Sequence, residues 1–190
     1  DRKNIINTIK KSAGMSRELL ENLLQWAMTQ TGKIPCSPVK LELTKLVENI
    51  MELYAAVASN KNISLKKEFN GELFVHADTN MISAILQNLI SNAIKFTPEN
   101  GSVTISLSEE NNRAVIKVSD TGIGMSPGDL PKLFRIDTDH RKIGTSKEKG
   151  TGLGLILCRE FAGLNRGSIF AESEAGKGSA FTVILPLYKT

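Results

Sequence analysis

Two asparagines four residues apart give this sequence its clearest chemical signal. Asn88 and Asn92 lie in a segment from Thr79 to Phe96 whose apolar residues recur at helical spacing. Because side chains four residues apart lie on the same side of a helix, both amides can face one ligand, together with Lys95. Amide oxygens suit a hard cation such as Mg²⁺, and an ammonium suits phosphate. The pattern indicates a site for a phosphorylated ligand, with solvated or helix-capping asparagines as the alternative.

An aspartate follows the next clear strand pattern. Residues 114–119 alternate apolar and polar side chains, as a half-buried strand does, and Asp120 is followed by Thr-Gly-Ile-Gly. A carboxylate at that position can accept a hydrogen bond from an amino group on a flat base, and Gly122 and Gly124 allow the backbone to approach a ligand closely. The same sequence is also common in simple turns, so the motif alone leaves both interpretations open.

A second glycine cluster, Gly150-Thr151-Gly152-Leu153-Gly154, precedes another segment with helical periodicity. Unpaired N–H groups at the start of a helix, with the positive end of its dipole, can bind phosphate. Two other phosphate-binding motifs are excluded. A P-loop would need glycine at position 171 and serine or threonine at 178, where Ala171 and Gly178 stand. A dinucleotide fingerprint that starts at Gly152 would need glycine at 157, which is Leu157.

Taken in order, these motifs resemble the ATP-binding domain of bacterial sensor histidine kinases. The resemblance rests on five sequence features: Asn88-(x)₃-Asn92-(x)₂-Lys95-Phe96, Asp120-x-Gly-x-Gly, Phe134, Gly150-x-Gly-x-Gly and Gly176-x-Gly. That family shares its Bergerat-type ATP-binding fold with type II topoisomerases and mismatch-repair ATPases. The similarity covers Val39 to Leu187 and implies ATP and Mg²⁺ as cofactors.

The resemblance implies a role for each motif residue. Asn92 is expected to bind Mg²⁺, Asn88 to support the metal and phosphate site, and Lys95 to contact phosphate; these three form the expected catalytic set. Phe96 is expected to lie beside the adenine, and Asp120 to accept a hydrogen bond from its amino group. The other expected nucleotide-binding residues shape the backbone around ATP or belong to a lid: Gly122, Gly124, Phe134, Gly150, Thr151, Gly152, Leu153 and Gly154.

One position separates the kinases of this family from its hydrolytic relatives. In those relatives the residue four before the metal-binding asparagine is a glutamate that activates water, and here it is Asn88. An amide is a poor general base near pH 7. The resemblance therefore implies transfer of the γ-phosphoryl group of ATP to a histidine on a dimerisation hairpin, then relay to an aspartate of a response-regulator receiver domain. An ATPase or serine kinase of the same fold, and a non-catalytic ATP-sensing or dimerisation module, are the alternatives.

The first 32 residues predict one long helix that ends at Gly32. Residues at helix-bundle positions recur every seven residues: Ile6, Ala13, Leu20 and Ala27. The segment 1–32 resembles the second helix of a histidine kinase dimerisation hairpin. Residues 33–38 are then a linker and residues 39–190 the catalytic domain. The resemblance also implies a homodimer of the parent protein, in which two hairpins form a four-helix bundle.

Neither histidine of the chain has the sequence context of a phosphoacceptor. His76 follows a strand-like segment and His140 lies in a cation-rich one, so both are expected to be ordinary surface or lid residues. We expect the acceptor histidine upstream of Asp1, in a longer protein.

Composition narrows the class of protein further. The net charge is +4, but the basic residues are scattered and aromatic residues make up 5%, which argues against nucleic-acid binding. No apolar run reaches the length of a membrane span, and no signal peptide is visible. Cys36 and Cys158 lack metal-binding spacing and fit a reducing compartment. These features predict a cytoplasmic catalytic portion, with any membrane anchor elsewhere in the parent protein.

The segment from Phe134 to Lys149 is rich in cations and has Gly144 but little apolar periodicity. It predicts a lid that closes over phosphates, with a solvated loop as the alternative. The sequence Leu133-Phe134-Arg135-Ile136-Asp137 departs from the more usual Phe-x-Arg-Phe of the family, so the cation that reaches the γ-phosphate is not defined.

The remaining patterns predict an α+β fold, a two-layer α/β sandwich in which about three helices cover one face of a mixed sheet, preceded by the long helix. A helix is predicted from Leu43 to Ser59, started by Thr44. Its predicted core side consists of Leu46, Val47, Ile50, Met51 and Leu53. Strands are predicted at 63–65, 102–107, 113–119, 167–171 and 180–187, with Asn111-Asn112 as a hairpin turn.

Overall fold

The computed structural model describes residues 35–135, Thr145 and 152–188. It also describes scattered residues of the first segment, all of them helical: Ala13, Gly14, Ser16, Leu20, Leu23, Leu24, Ala27 and Met28. The rest of the predicted helix over 1–32 lies outside the described residues, as do His140, Gly150 and Thr151. The division into helix, linker and catalytic domain therefore stays a prediction.

A five-stranded mixed sheet forms one layer of the catalytic unit. Its strands are β2 (Ser64–Glu68), β4 (Ser102–Glu110), β5 (Arg113–Asp120), β6 (Ser168–Glu174) and β7 (Gly178–Pro186), in the order β2-β4-β5-β7-β6. The pair β2 and β4 is parallel, and the other neighbours are antiparallel. The predicted turn at Asn111 and Asn112 joins β4 to β5, and both residues adopt the positive φ that a tight hairpin turn requires.

A separate two-stranded antiparallel sheet pairs β1 (Val39–Glu42) with β3 (Phe74–Ala77). The sequence patterns did not predict β1, because four alternating residues are too few to identify a strand and its partner β3 lies more than thirty residues further along the chain. His76 lies within β3, with an exposed side chain.

Among the described residues, three helices form the second layer: α1 (Leu43–Asn60), α2 (Thr79–Phe96) and α3 (Gly154–Leu164). A 3₁₀ turn at Leu130–Lys132 lies between β5 and α3. Alternate strand residues, such as Ile116 and Val118 of β5, are buried in one cluster with the apolar faces of the helices. One face of the sheet is thus covered, and the predicted two-layer sandwich is confirmed.

Two details of the predicted α1 helix are wrong. The helix begins at Leu43 after Glu42, and the Thr44 hydroxyl accepts a hydrogen bond from the backbone N–H of Leu73 at 2.9 Å instead of starting the helix. Leu53 is 63% exposed. The buried stripe of α1 runs through Val47 and Ile50, and Leu53 lies about 100° of helix rotation away from the next position on that stripe, residue 54.

Asp78 holds the start of α2, the helix that carries the asparagine pair. Its Oδ1 accepts hydrogen bonds from the backbone N–H groups of Asn80 and Met81, at 3.0 and 3.1 Å, which are helix donors without an intrahelical partner. Its Oδ2 accepts from the backbone N–H of Ser37 in the predicted linker, at 3.0 Å. Its own N–H donates to Oδ1 of the buried Asn165 at 2.6 Å. The linker, the start of α2 and the end of α3 therefore meet at one residue, Asp78.

Candidate nucleotide-binding site

The two asparagines of α2 contact each other directly. Asn92 Nδ2 donates a hydrogen bond to Asn88 Oδ1 at 2.8 Å, and both side chains are half-buried. Because an amide carries its nitrogen and oxygen on opposite arms, this bond leaves Asn92 Oδ1 for another partner. The pair thus uses the oxygen of Asn88 internally and leaves the oxygen of Asn92 outside that bond.

Asn88 also brings α2 against the start of α3. A Cβ atom placed on Gly154 would collide with Asn88 Nδ2, so the Asn88 amide occupies the space that any other residue at 154 would fill. Leu153 is the N-cap of α3, with no side-chain cap, and the first helical hydrogen bond runs from Leu157 N to Leu153 O. The backbone N–H groups of Gly154, Leu155 and Ile156, in the first turn, have no partner within the helix, and such groups favour an anion.

The last turn of α2 carries Lys95 and Phe96, both half-buried. Lys95 Nζ lies 5.0 Å from the centroid of the Phe96 ring. The ammonium of Lys61 donates to the carbonyl oxygens of Ile94 and Lys95, each at 2.9 Å, and so stabilises the negative end of the helix. Thr145 N also donates to Lys95 O, at 3.1 Å, so one described residue of the predicted lid lies against this helix end.

Phe134, predicted to belong to the lid, is half-buried and packs against the hydrophobic core. Arg135 is exposed. The other lid cations of the sequence analysis lie outside the described residues.

Asp120 ends β5 and is 9% exposed. Its Oδ1 accepts hydrogen bonds from the backbone N–H groups of Gly122 and Ser179, at 2.8 and 3.2 Å. Burial raises the pKa of this carboxyl, and the two hydrogen bonds oppose that rise. Within the described ranges no donor reaches Oδ2, so this oxygen has lone pairs available for a further donor.

The glycine clusters pack against one another and against Phe96. The N–H of Ile123 donates to Phe96 O at 3.2 Å, which connects the loop after Asp120 to the end of α2. Gly178 has a φ of +109°, and a Cβ atom there would collide with the carbonyl oxygen of Asp120. Gly124 lies equally close to the Glu174 carbonyl. The backbone around Asp120 is therefore packed too closely for side chains at these positions.

The structure thus brings together Asn88, Asn92 and Gly154 at one place, and Asp120, Gly122 and Phe96 at another, with α2 connecting the two. Gly152 and Leu153 lead directly into α3. Sequence reasoning missed Lys61, which no local motif marks. It also missed Ser179, although the Ser follows directly after the third glycine motif.

Comparisons with known proteins agree on the family. The sequence model described as "Histidine kinase-, DNA gyrase B-, and HSP90-like ATPase" matches residues 77–189. The histidine protein kinase DivJ of Caulobacter vibrioides is 33% identical over 182 residues, which are 94% of this chain and 30% of DivJ. The chain therefore spans less than one third of that relative's length.

Solved structures agree on the fold. The catalytic domain of the histidine kinase ThkA is 26% identical with a TM-score of 0.68, covering 80% of this chain and 96% of that domain. Full-length ShkA in complex with AMPPNP is 24% identical, with a TM-score of 0.82, over 99% of this chain and 39% of ShkA. ThkA in complex with the response regulator TrrA is 22% identical, with a TM-score of 0.76, over 99% of this chain and 52% of that one.

These findings define an ATP-binding domain of the histidine kinase type. The chain belongs to the family of histidine kinase-, DNA gyrase B- and HSP90-like ATPases, and the curated relatives it matches include histidine protein kinases and sensor kinases. The family predicted from the motifs and the Bergerat-type fold are both confirmed. No helix among the described residues is both long and apolar enough to cross a membrane.

Gly154→Ala tests the contact between α3 and Asn88. We expect the added methyl group to displace the Asn88 amide and to weaken nucleotide binding by about tenfold or more, a loss equivalent to about 1.4 kcal/mol, measured by calorimetry. Gly163→Ala is the matched control on the same helix, because a Cβ atom there meets nothing within 4 Å. Equal affinities of the two variants would contradict the contact.

Asp120→Asn tests how the charge of Asp120, as distinct from its hydrogen bonds, affects the stability of the fold. Burial raises the pKa of Asp120 in the folded state above its unfolded value of about 4. Protonation of Asp120 therefore stabilises the fold at pH values below the unfolded pKa, and this contribution is lost as the pH rises through the folded pKa. At pH 7 the ionised group therefore costs stability, and an amide oxygen can still accept from Gly122 and Ser179. We expect Asp120→Asn to unfold in urea at the same or a higher concentration than wild type at pH 7, with a smaller difference at pH 4.

Asp120→Ala is the contrasting variant. It leaves two backbone N–H groups without their acceptor, at a cost of about 1–3 kcal/mol. An asparagine variant as unstable as the alanine variant at pH 7 would show that the charge itself stabilises the fold.

Proposed function

We propose that this domain binds ATP with Mg²⁺ between α2, α3 and the loop after Asp120, and that it transfers the γ-phosphoryl group to a histidine on a dimerisation hairpin. The observation that carries the proposal is the Asn88 amide, held between Asn92 and Gly154 at 2.8 Å from the Asn92 nitrogen. This is the position where the hydrolytic relatives place a glutamate. An amide there cannot activate water, so ATP is preserved for another nucleophile.

The base of the nucleotide is recognised at the Asp120 end of the site. Oδ2 of Asp120 accepts a hydrogen bond from the amino group of adenine, because Oδ1 is occupied by two backbone donors. Phe96 lies beside the base. Its carbonyl oxygen accepts a hydrogen bond from Ile123 N, and this bond holds the loop after Asp120 against the end of α2. The glycines at 122 and 124 let the backbone approach the ring.

The phosphates are held at the other end of the site, where Asn88 and Asn92 of α2 face the start of α3. Lys95 and the start of α3 supply positive charge, and Asn92 Oδ1 is the ligand that the chain offers to Mg²⁺. The fit is chemical: a neutral amide oxygen suits a hard cation that shares its shell with phosphate oxygens. Bound Mg²⁺ neutralises charge on the phosphates. Within the described ranges no cluster of three or more His, Cys, Asp or Glu side chains is placed to hold a metal, so amide and phosphate oxygens are the ligands in this proposal.

Phosphoryl transfer needs positioning and charge neutralisation more than it needs a base. A neutral imidazole already carries a lone pair on one ring nitrogen, so it attacks the γ-phosphorus without first losing a proton. The bond from phosphorus to the β–γ bridging oxygen breaks, and ADP leaves. Asn88, Asn92 and Lys95 orient the phosphates during this step. This requirement matches a site built from amides, an ammonium and backbone N–H groups.

The wider role follows from the relatives. We propose relay of the phosphoryl group to an aspartate of a response-regulator receiver domain, as the complex of ThkA with a response regulator suggests. Leu20, Leu23 and Leu24 are helical and between 45% and 66% exposed, and they lie at the spacing of one apolar stripe. That stripe supports a homodimer formed through the dimerisation hairpin. We place the catalytic portion in the cytoplasm of a membrane-anchored parent.

A transfer assay tests the proposed reaction. The chain is incubated with Mg²⁺, ATP labelled at the γ-phosphate and a separate hairpin from the full-length protein. We expect label on the hairpin that is labile in acid and stable in base, as a phosphorylated histidine is. A hairpin in which glutamine replaces the acceptor histidine is the control. Steady ADP release without any labelled acceptor would instead favour a same-fold ATPase.

Asn92→Ala tests the metal site. We expect ATP binding in the presence of Mg²⁺ to weaken by about tenfold or more, because the amide oxygen is lost, while binding in excess EDTA stays near the wild-type value. The matched control is Asn80→Ala, an exposed asparagine in the first turn of the same helix. Tight, Mg²⁺-dependent binding by Asn92→Ala would remove Asn92 from the metal site.

A further inference from the structure

Three polar side chains form a row across neighbouring strands at the Asp120 end of the site. Asp120 of β5 pairs with Ser179 of β7, and Ser179 pairs with Ser173 of β6. Neighbouring strands lie about 5 Å apart, so each side chain can reach the next. Asp120 and Ser179 share the helix-covered face of the sheet, because they alternate in step with the buried Val118 and Phe181.

The hydrogen bonds of Ser173 determine where its proton points. Its Oγ lies 2.8 Å from Met125 N, which can only donate, and 2.8 Å from Gly178 O, which can only accept. Ser173 therefore gives its single hydroxyl proton to Gly178. The third partner, Ser179 Oγ, lies 3.0 Å away. Because Ser173 has no second proton, the hydroxyl of Ser179 must donate in that contact.

The direction of this bond defines the chemistry of Ser179. Once its proton is given to Ser173, its oxygen has only lone pairs to offer. Oδ2 of Asp120 is likewise an acceptor, and the backbone N–H of Ser179 already donates to Asp120 Oδ1 at 3.2 Å. Two neighbouring acceptors favour a group that carries N–H donors, directly or through one bound water, and disfavour a carbonyl oxygen in the same place.

Ser173 of β6 also contacts two other segments of the chain. By accepting from Met125 it holds the end of the loop that follows Asp120, and by donating to Gly178 it holds the turn between β6 and β7. The N–H of Gly176 in that turn donates to Ile123 O at 2.8 Å, which adds a second connection between the same two segments. The hydroxyl therefore sets the separation between the loop and Ser179.

We propose that Ser173 is a positioning residue for base selection: it orients the Ser179 hydroxyl as an acceptor beside Asp120, so that the site prefers a purine with an amino group at position 6 over one with a carbonyl group there. The inference rests on the proposed nucleotide site and deepens it. Without Ser173, the Ser179 hydroxyl is free to rotate and donate, and a carbonyl oxygen becomes acceptable.

The test measures the affinities of ADP, inosine diphosphate and inorganic tripolyphosphate by calorimetry. ADP and inosine diphosphate share ribose and phosphates and differ at the 6-position edge of the purine, where adenine has an amino group beside an unprotonated N1 and hypoxanthine has a carbonyl beside N1–H. Tripolyphosphate reports the phosphate end alone. For Ser173→Ala we expect the preference for ADP over inosine diphosphate to fall by about five- to tenfold, with tripolyphosphate affinity unchanged. Ser173→Thr keeps the hydroxyl and is expected to restore the preference.

Two further variants act as references. Ser168→Ala lies on the same strand, where its side chain makes no hydrogen bond to the described residues, and should leave all three affinities unchanged. Asp120→Asn should lose the preference more completely than Ser173→Ala. Hydrogen exchange of the Met125 amide is an independent measurement: we expect it to accelerate in Ser173→Ala and to stay slow in Ser173→Thr.

The outcomes separate the two proposals. If wild type does not prefer ADP, the assignment of Asp120 as the base-recognition residue fails. If wild type prefers ADP and Ser173→Ala keeps that preference, the role of Ser173 is overturned while the nucleotide site stands. An equal loss of affinity for all three ligands also overturns it, because it would show that Ser173 supports only the fold.

Discussion

Burial of one face of α2 against the sheet sets the direction of every polar side chain on its other faces. Leu86, Leu89 and their apolar neighbours on the helix are fully buried. A change of register by one residue would turn the helix by about 100° and move polar groups into the core, where each unpaired group costs about 1–3 kcal/mol. Asp78 at the positive end and Lys61 at the negative end stabilise the same helix electrostatically. The buried face prevents α2 from rotating, and for that reason the side chains of Asn88, Asn92 and Lys95 have fixed directions relative to the rest of the site.

Close backbone packing brings the rest of the site to α2. Asn88 fits against the start of α3 because residue 154 has no side chain, and the Asp120 carbonyl fits against residue 178 for the same reason. The connection from Ile123 N to Phe96 O then joins the loop after β5 to the end of α2. These contacts hold α2, the start of α3 and the loop after β5 against one another. A ligand that touches all three segments requires them to be this close.

The charges in the proposed nucleotide site are divided between its two ends. The carboxylate of Asp120 is buried, has a raised pKa and is held by two backbone donors, so it suits an uncharged base with an amino group. The Asn88 and Asn92 amides carry no charge that would repel phosphate, and Lys95 adds an attractive one. A carboxylate in place of Asn88 would add a base for water and would repel the phosphates. The neutral pair suits transfer to an imported nucleophile, which already has its own lone pair.

Local patterns determined most of the fold. The apolar periodicity of residues 79–96 corresponds to α2 as observed, and Asn111-Asn112 forms the turn between β4 and β5, because helix faces and tight turns depend on residues close in the chain. The short strand β1 and the exposed Leu53 were missed, because pairing partners and the edge of a buried face depend on the neighbouring elements.

The ordered motifs likewise determined the family and the set of candidate residues. Only the tertiary structure placed the Asn88 amide against Gly154, and only it set the direction of the hydrogen bonds from Ser179 to Ser173 and from Ser173 to Gly178. Asn88 and Gly154 are 66 residues apart, and their contact arises from the packing of α3 onto α2, so no local pattern encodes it. The serine contacts lie within one hairpin, but their direction depends on the N–H of Met125, 48 residues from Ser173, which the fold brings to the same hydroxyl.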